Sequence, residues 1–109
     1  MTLYHSTTHP IIGDFRVKGN AGYGVYFAGT IRESRTFGDI TYKVKVLPKK
    51  TLIFNDNEVS GKGFFNMSHD IYDRHISDGY DSVAWYRKGR LQEFIVLNTD
   101  IISDYEIIF

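Results

Sequence analysis

Cysteine is absent from this chain, which excludes disulfides, thiolate nucleophiles and cysteine metal sites together and fits a reducing compartment. No run of side chains approaches the roughly 20 apolar residues that a membrane helix needs. The polar, histidine-containing start Met1-Thr-Leu-Tyr-His5 lacks the apolar core of a signal peptide. Excess charge is missing too: 13 basic and 13 acidic side chains cancel, so no global field is available to hold a nucleic-acid backbone. Internal repeats and low-complexity tracts are also lacking. These absences leave a soluble, cytoplasmic protein as the expectation.

What is present is enough for one domain. A chain of 109 residues has room for a real core and none for a separate regulatory module. Eight tyrosines, eight phenylalanines and an ordinary hydrophobic fraction argue against disorder. One domain over residues 1–109 is expected to fold alone.

The most informative stretch runs from Gly22 to Gly38. Val25, Tyr26, Phe27 and Ala28 form a short apolar and aromatic run with strand propensity, bounded by glycines. Thr30 followed three residues later by Glu33 is a capping box, so a helix of about two turns is expected to start at Ile31 and stop at Gly38. On that helix Ser34 and Phe37, three apart, present a hydroxyl and an aromatic ring on one surface. Such a pair suits a flat, amide-bearing ring.

Elsewhere the pattern is mostly strand. Thr2 to Ser6 reads as a strand ended by Thr7-Thr8-His9-Pro10. His5 and His9 stand four apart, but Pro10 opposes the helix a zinc pair would need, and the glutamate of a His-Glu-x-x-His site is missing. Residues 11–21 read as a glycine-punctuated loop carrying Asp14, Arg16 and Lys18, and Gly19, Gly22 and Gly24 lack the strand-first context of a dinucleotide turn. Ile40, Tyr42, Val44 and Val46 alternate with Thr41, Lys43 and Lys45 as in a half-buried strand closed by Pro48. Leu52-Ile53-Phe54 is a further short strand, with Asn55-Asp56-Asn57 as turn chemistry after it. Gly61-Lys62-Gly63 is a loop and not a phosphate-binding P-loop. From Phe64 to Ser77 the positions Phe64, Met67, Ile71 and His75 keep helical spacing, with Gly79 as the stop. Asp81–Tyr86 and Leu91–Leu97 are strands joined in a hairpin by Arg87-Lys88-Gly89-Arg90, and Asp104–Phe109 is a last strand. Strands outnumber helices and connect locally, which predicts an α+β domain with mainly antiparallel sheets and two or so short helices.

Gly24-Val-Tyr-Phe-Ala28, with a serine eight and an aromatic eleven residues after Tyr26, resembles the nicotinamide-binding core of ADP-ribosyltransferases of the His-Tyr-Glu class, the diphtheria-toxin and poly-ADP-ribose-polymerase-like enzymes. Leu3-Tyr-His-Ser-Thr7 resembles that family's first strand, and Gln92-Glu-Phe-Ile-Val96 its last catalytic strand. The resemblance implies a split antiparallel fold and transfer of ADP-ribose from NAD to an acceptor with loss of nicotinamide, without a metal. It implies a catalytic role for Glu93, which would stabilise the positive charge developing on the ribose. By the same resemblance His5 would bond the adenosine-side ribose, Ser6 would offer its backbone to the nicotinamide amide, and Thr7 or Ser6 would add a hydroxyl near the ribose or phosphates. Tyr26 and Phe27 would line the nicotinamide side, Phe37 would stack on the ring and Ser34 would bond its carboxamide. Serine at position 6 and phenylalanine at position 37 replace the family's more frequent glycine and tyrosine.

Arg87, Lys88, Arg90 and Leu91 lie where the family meets its acceptor. Arginine-modifying relatives carry Gln or Glu two residues before the catalytic glutamate, and Leu91 holds that place here, which argues against arginine as the modified side chain. The expectation is a single ADP-ribose addition to a macromolecule, a protein rather than a nucleic acid, as would suit a compact phage or bacterial effector acting in a host cytoplasm. The rivals are an NAD glycohydrolase and a catalytically silent NAD- or protein-binding module of the same fold. An RNA 2′-phosphotransferase would want a basic phosphate cradle that the sequence does not show clearly.

Overall fold

Alternating apolar residues from Ile40 to Val46 build the strand around which one sheet forms, because every second side chain must leave water. The computed structural model describes residues 1–9, 15, 18–19, 22–56 and 68–108. In chain order the elements are β1 (Thr2–Thr7), the two-residue β2 (Lys18–Gly19) and β3 (Gly22–Tyr23), β4 (Val25–Phe27), α1 (Ile31–Ser34) continued by a 3-10 turn (Arg35–Phe37), β5 (Ile40–Val46), β6 (Thr51–Asp56), α2 (His69–Ser77), β7 (Ser82–Arg87), β8 (Arg90–Val96), a second 3-10 turn (Thr99–Ile101) and β9 (Ile102–Ile107).

Two sheets carry the fold, one ordered β1-β5-β9 and one ordered β4-β8-β7-β6, with β2 and β3 as a small separate pair. All pairings are antiparallel except β6 with β7, which the α2 segment joins as a crossover. The chain is thus the expected α+β domain with mainly antiparallel sheets.

Alternation decides which face each residue takes. Leu3, Tyr42, Val44 and Val46 from the first sheet meet Val25, Phe27, Ala84, Phe94 and Val96 from the second in the main core. Their neighbours point the other way: Val83, Ile95 and Leu97 gather on the outer face of the second sheet with Tyr26, Leu52, Tyr72 and Tyr80. There α2 closes over them, and Tyr72 donates its hydroxyl to the Leu97 carbonyl at 3.0 Å. Gly24, at φ +99, leads into β4 where any Cβ would run into the Ile95 side chain.

Three expectations change. Asn55 and Asp56 are not a turn but the end of β6, paired with Tyr86 and Arg87 of β7; pairing along this edge holds them extended and overrides their turn propensity. Asn57 lies outside the described residues. The described helix of the 64–77 region starts at His69, where the Ser68 hydroxyl caps it by accepting the Ile71 N–H; Phe64 and Met67 lie outside the described residues, as do Pro10, Asp14, Arg16 and the Gly61–Gly63 loop. Within the expected 11–21 loop, Lys18–Gly19 pairs with Gly22–Tyr23. The 87–90 connection is the expected hairpin, with Lys88 and Gly89 both at positive φ, 50 and 76, as in a type I′ turn.

Candidate functional site

The seam where the two sheets meet is made by β4. One edge pairs with β8, in the register Val25 to Val96, Tyr26 to Ile95 and Phe27 to Phe94. The other edge meets β1, where Tyr4 and Ala28 exchange two backbone hydrogen bonds of 2.9 and 2.8 Å. Glu93 directly precedes Phe94, the partner of Phe27, and pairs with Trp85 on β7. Alternation puts Tyr26, Trp85, Glu93 and Ile95 on one face, the outer face of the second sheet. Glu93 is 8% exposed.

His5 reaches β4 from the other side. Its Nδ1 lies 2.8 Å from the Tyr26 carbonyl oxygen, which can only accept, so Nδ1 carries the proton and Nε2 of the neutral ring is left as an acceptor. Burial pushes the His5 pKa below the usual histidine value, and the bond to Tyr26 opposes that only in part. The imidazole stands edge-on to Phe15 and Phe27, with centroids 5.5 and 5.6 Å away. It thus touches the Tyr26 backbone while its ring keeps company with Phe27, whose side chain points opposite to that of Tyr26. Phe27, expected beside the cofactor, is a core residue at 2% exposure because the strand's period turns it inward.

The helix after β4 begins as its cap dictates. The Thr30 hydroxyl accepts the Glu33 N–H and bonds the Glu33 carboxylate, each at 3.2 Å. Gly38 ends it for a steric reason: a Cβ there would collide with the backbone of Thr7, so the chain passes β1 only as glycine. Phe37, the last residue of the 3-10 turn, is 53% exposed. Ser34 is not placed as expected: it is 1% exposed, its hydroxyl donates to the Ile31 carbonyl at 3.0 Å, and it lies 2.9 Å from the Ser6 hydroxyl. A carboxamide could reach it only if α1 shifted. Ser6 is buried as well, against Ser34 and Thr41, and Thr7 accepts the His9 N–H through its hydroxyl at 3.4 Å.

The β7–β8 hairpin closes the same end of the sheet. Lys88 and Arg90 are exposed at its tip, Arg87 is half-buried, and Leu91 packs partly buried on the core beside Gly29. Arg90 comes within 4.0 Å of Glu33 on α1, an exposed contact worth little energetically that still shows the hairpin tip next to the helix.

Two residues at the site escaped the sequence reading. Thr41 sits in the solvent-facing phase of β5 with Lys43 and Lys45, yet it is fully buried, its hydroxyl 2.8 Å from that of Ser6. Trp85, the single tryptophan, faces Glu93 across the β7–β8 ladder; only the hairpin register could have revealed it.

Among the described residues no group of His, Asp or Glu is arranged to hold a metal ion, and no helix is long and apolar enough to cross a membrane. No family model matches the chain, and no curated protein matches its sequence.

Proposed function

We propose that this domain is a mono-ADP-ribosyltransferase that moves ADP-ribose from NAD to a macromolecular acceptor, a protein before a nucleic acid, and releases nicotinamide. The observation that carries this reading is the buried carboxylate of Glu93, one strand from Tyr26 on the same face and across β4 from a neutral His5. In the reaction the bond from the ribose anomeric carbon to the nicotinamide nitrogen breaks, its electron pair leaves with nicotinamide, and the acceptor supplies a new pair to that carbon. Charge on the sugar peaks between those events, so a fixed anion lowers the barrier more than a nucleophilic side chain would. Glu93 supplies that anion by accepting a ribose hydroxyl. His5 Nε2 accepts a hydroxyl of the second ribose, Tyr26 and Phe37 hold the leaving ring, and the basic hairpin tip of Arg87, Lys88 and Arg90 meets the acceptor.

A catalytically silent module that keeps the fold to bind NAD or a protein is the second reading. It is favoured by one specific observation, the burial of Ser34, which removes a donor from the nicotinamide side.

Incubation with labelled NAD and a lysate, parent against Glu93→Gln, separates the readings. Label on a macromolecule that depends on Glu93 supports transfer, and nicotinamide release without label indicates an NAD glycohydrolase. NAD binding with no turnover in either protein indicates the silent module.

A further inference from the structure

Three buried hydroxyls join β1, α1 and β5 at the seam. Ser6 Oγ lies 2.9 Å from Ser34 Oγ and 2.8 Å from Thr41 Oγ1, and Ser34 Oγ donates to the Ile31 carbonyl at 3.0 Å. The three side chains are 7%, 1% and 0% exposed, so water does not share the work. Each hydroxyl has one proton, and this fixes a direction. The Ser34 proton goes to Ile31; Ser6 must then donate to Ser34, and Thr41 to Ser6. Reversed, Ser34 would donate to Ser6 and Ser6 to Thr41, which takes the Ser34 proton from the Ile31 carbonyl and leaves the Thr41 proton to find another acceptor in a fully buried place, the costlier arrangement. Ser6 and Thr41 are cross-strand partners, so the donor at the head of the chain is set by the β1–β5 register.

We propose that Thr41 is a positioning residue for the nicotinamide side of the site: through Ser6 and Ser34 its hydroxyl holds α1, and the exposed Phe37 ring that follows it, at a fixed distance from β1. The proposal rests on the reading of α1 as the element that grips nicotinamide. It assigns Ser34 a use different from ligand contact, and it explains serine at position 6. A glycine there would break the chain at its middle. Thr41 itself touches no ligand.

The experiment compares Thr41→Val, which keeps shape and loses the hydroxyl, with Thr41→Ser, which keeps the hydroxyl. Amide hydrogen exchange across residues 31–37 is read against the amides of β7 and β8, together with kcat and KM for NAD. Losing one buried hydrogen bond predicts exchange about five- to tenfold faster in α1 for Thr41→Val, with β7 and β8 unchanged. KM for NAD rises by a similar factor while kcat stays within about twofold, and Thr41→Ser restores both. Unchanged α1 protection in Thr41→Val, or loss that Thr41→Ser does not rescue, overturns the proposal. Should Thr41→Val fail to fold, Ser6→Ala breaks the same chain from β1 and is read by the same exchange and rescue criteria, with Ser6→Thr as the hydroxyl-bearing partner. A parent protein that neither binds nor consumes NAD overturns the nicotinamide reading and the positioning role with it. The exchange data then still decide whether the hydroxyl chain holds α1, so the two failures are distinguishable.

Discussion

Glu93 and His5 flank β4 from either side, and their surroundings give them different chemistry. Replacing Glu93 by glutamine keeps its volume and removes its charge, so the fold should survive while turnover falls roughly a hundredfold or more, about 3 kcal/mol of transition-state stabilisation. Steady-state nicotinamide release, with circular dichroism as the check on folding, reads this directly. His5 makes a prediction about pH. Its pKa in the folded chain is lowered, chiefly by burial, whereas in the unfolded chain it titrates near the ordinary value of about 6.5. Below that pH the unfolded state binds the proton first, so stability is complete above about pH 6.5 and is lost as the pH falls toward the lowered folded value. His75 on α2 shifts in the same direction, mainly through burial and helped by Arg74 against the opposing pull of Asp78, and its Nε2 has no hydrogen-bond partner among the described residues. Urea melts should therefore show lower stability at about pH 5 than at about pH 7.5, and His5→Gln should remove part of that slope, not all of it. A slope untouched by the substitution would mean His5 is not held neutral.

Elements were legible where the signal is local and obscure where it depends on pairing. Thr30 and Glu33 announce α1 because a cap acts within one turn, and Lys88-Gly89 announces the hairpin because a two-residue turn demands positive φ. Thr30→Ala should accordingly cost about 1 kcal/mol, measured by denaturant unfolding. Lys88 occupies a left-handed conformation that lysine tolerates poorly, so Lys88→Asn should stabilise the protein by up to about 1 kcal/mol in the same assay. A destabilised Lys88→Asn would contradict the turn type. Thr41 was hidden for a different reason. Its phase along β5 matches that of two lysines, and only the pairing with Ser6, whose hydroxyl also reaches Ser34 of α1, gives its side chain a buried partner. Asn55 and Asp56 misled in the opposite sense, since residues that favour turns in isolation serve as strand once β7 lies alongside.

At the scale of the whole molecule, the two-sheet plan follows from strand count and local connections, while the convergence of distant residues does not. The backbones of His5, Tyr26 and Glu93 are brought to one seam because β4 is shared between β1 and β8, a fact of topology that no short window contains, while the His5 ring lies with Phe15 and Phe27 on the core side. The same topology separates residues that adjacent positions would have grouped: Tyr26 faces outward and Phe27 inward, so the expected cofactor contacts divide between the site and the core. The central claim is that the nicotinamide end of NAD binds on the outer face beside Glu93. Its most direct test is an NMR titration of the protein with NAD, following the backbone amides of Tyr26, Ala28, Trp85 and Glu93 and the Trp85 indole. Saturable shifts concentrated at those groups are predicted. A folded protein whose signals stay in place as NAD rises, or that shifts only at residues remote from β4 and β8, would contradict the account.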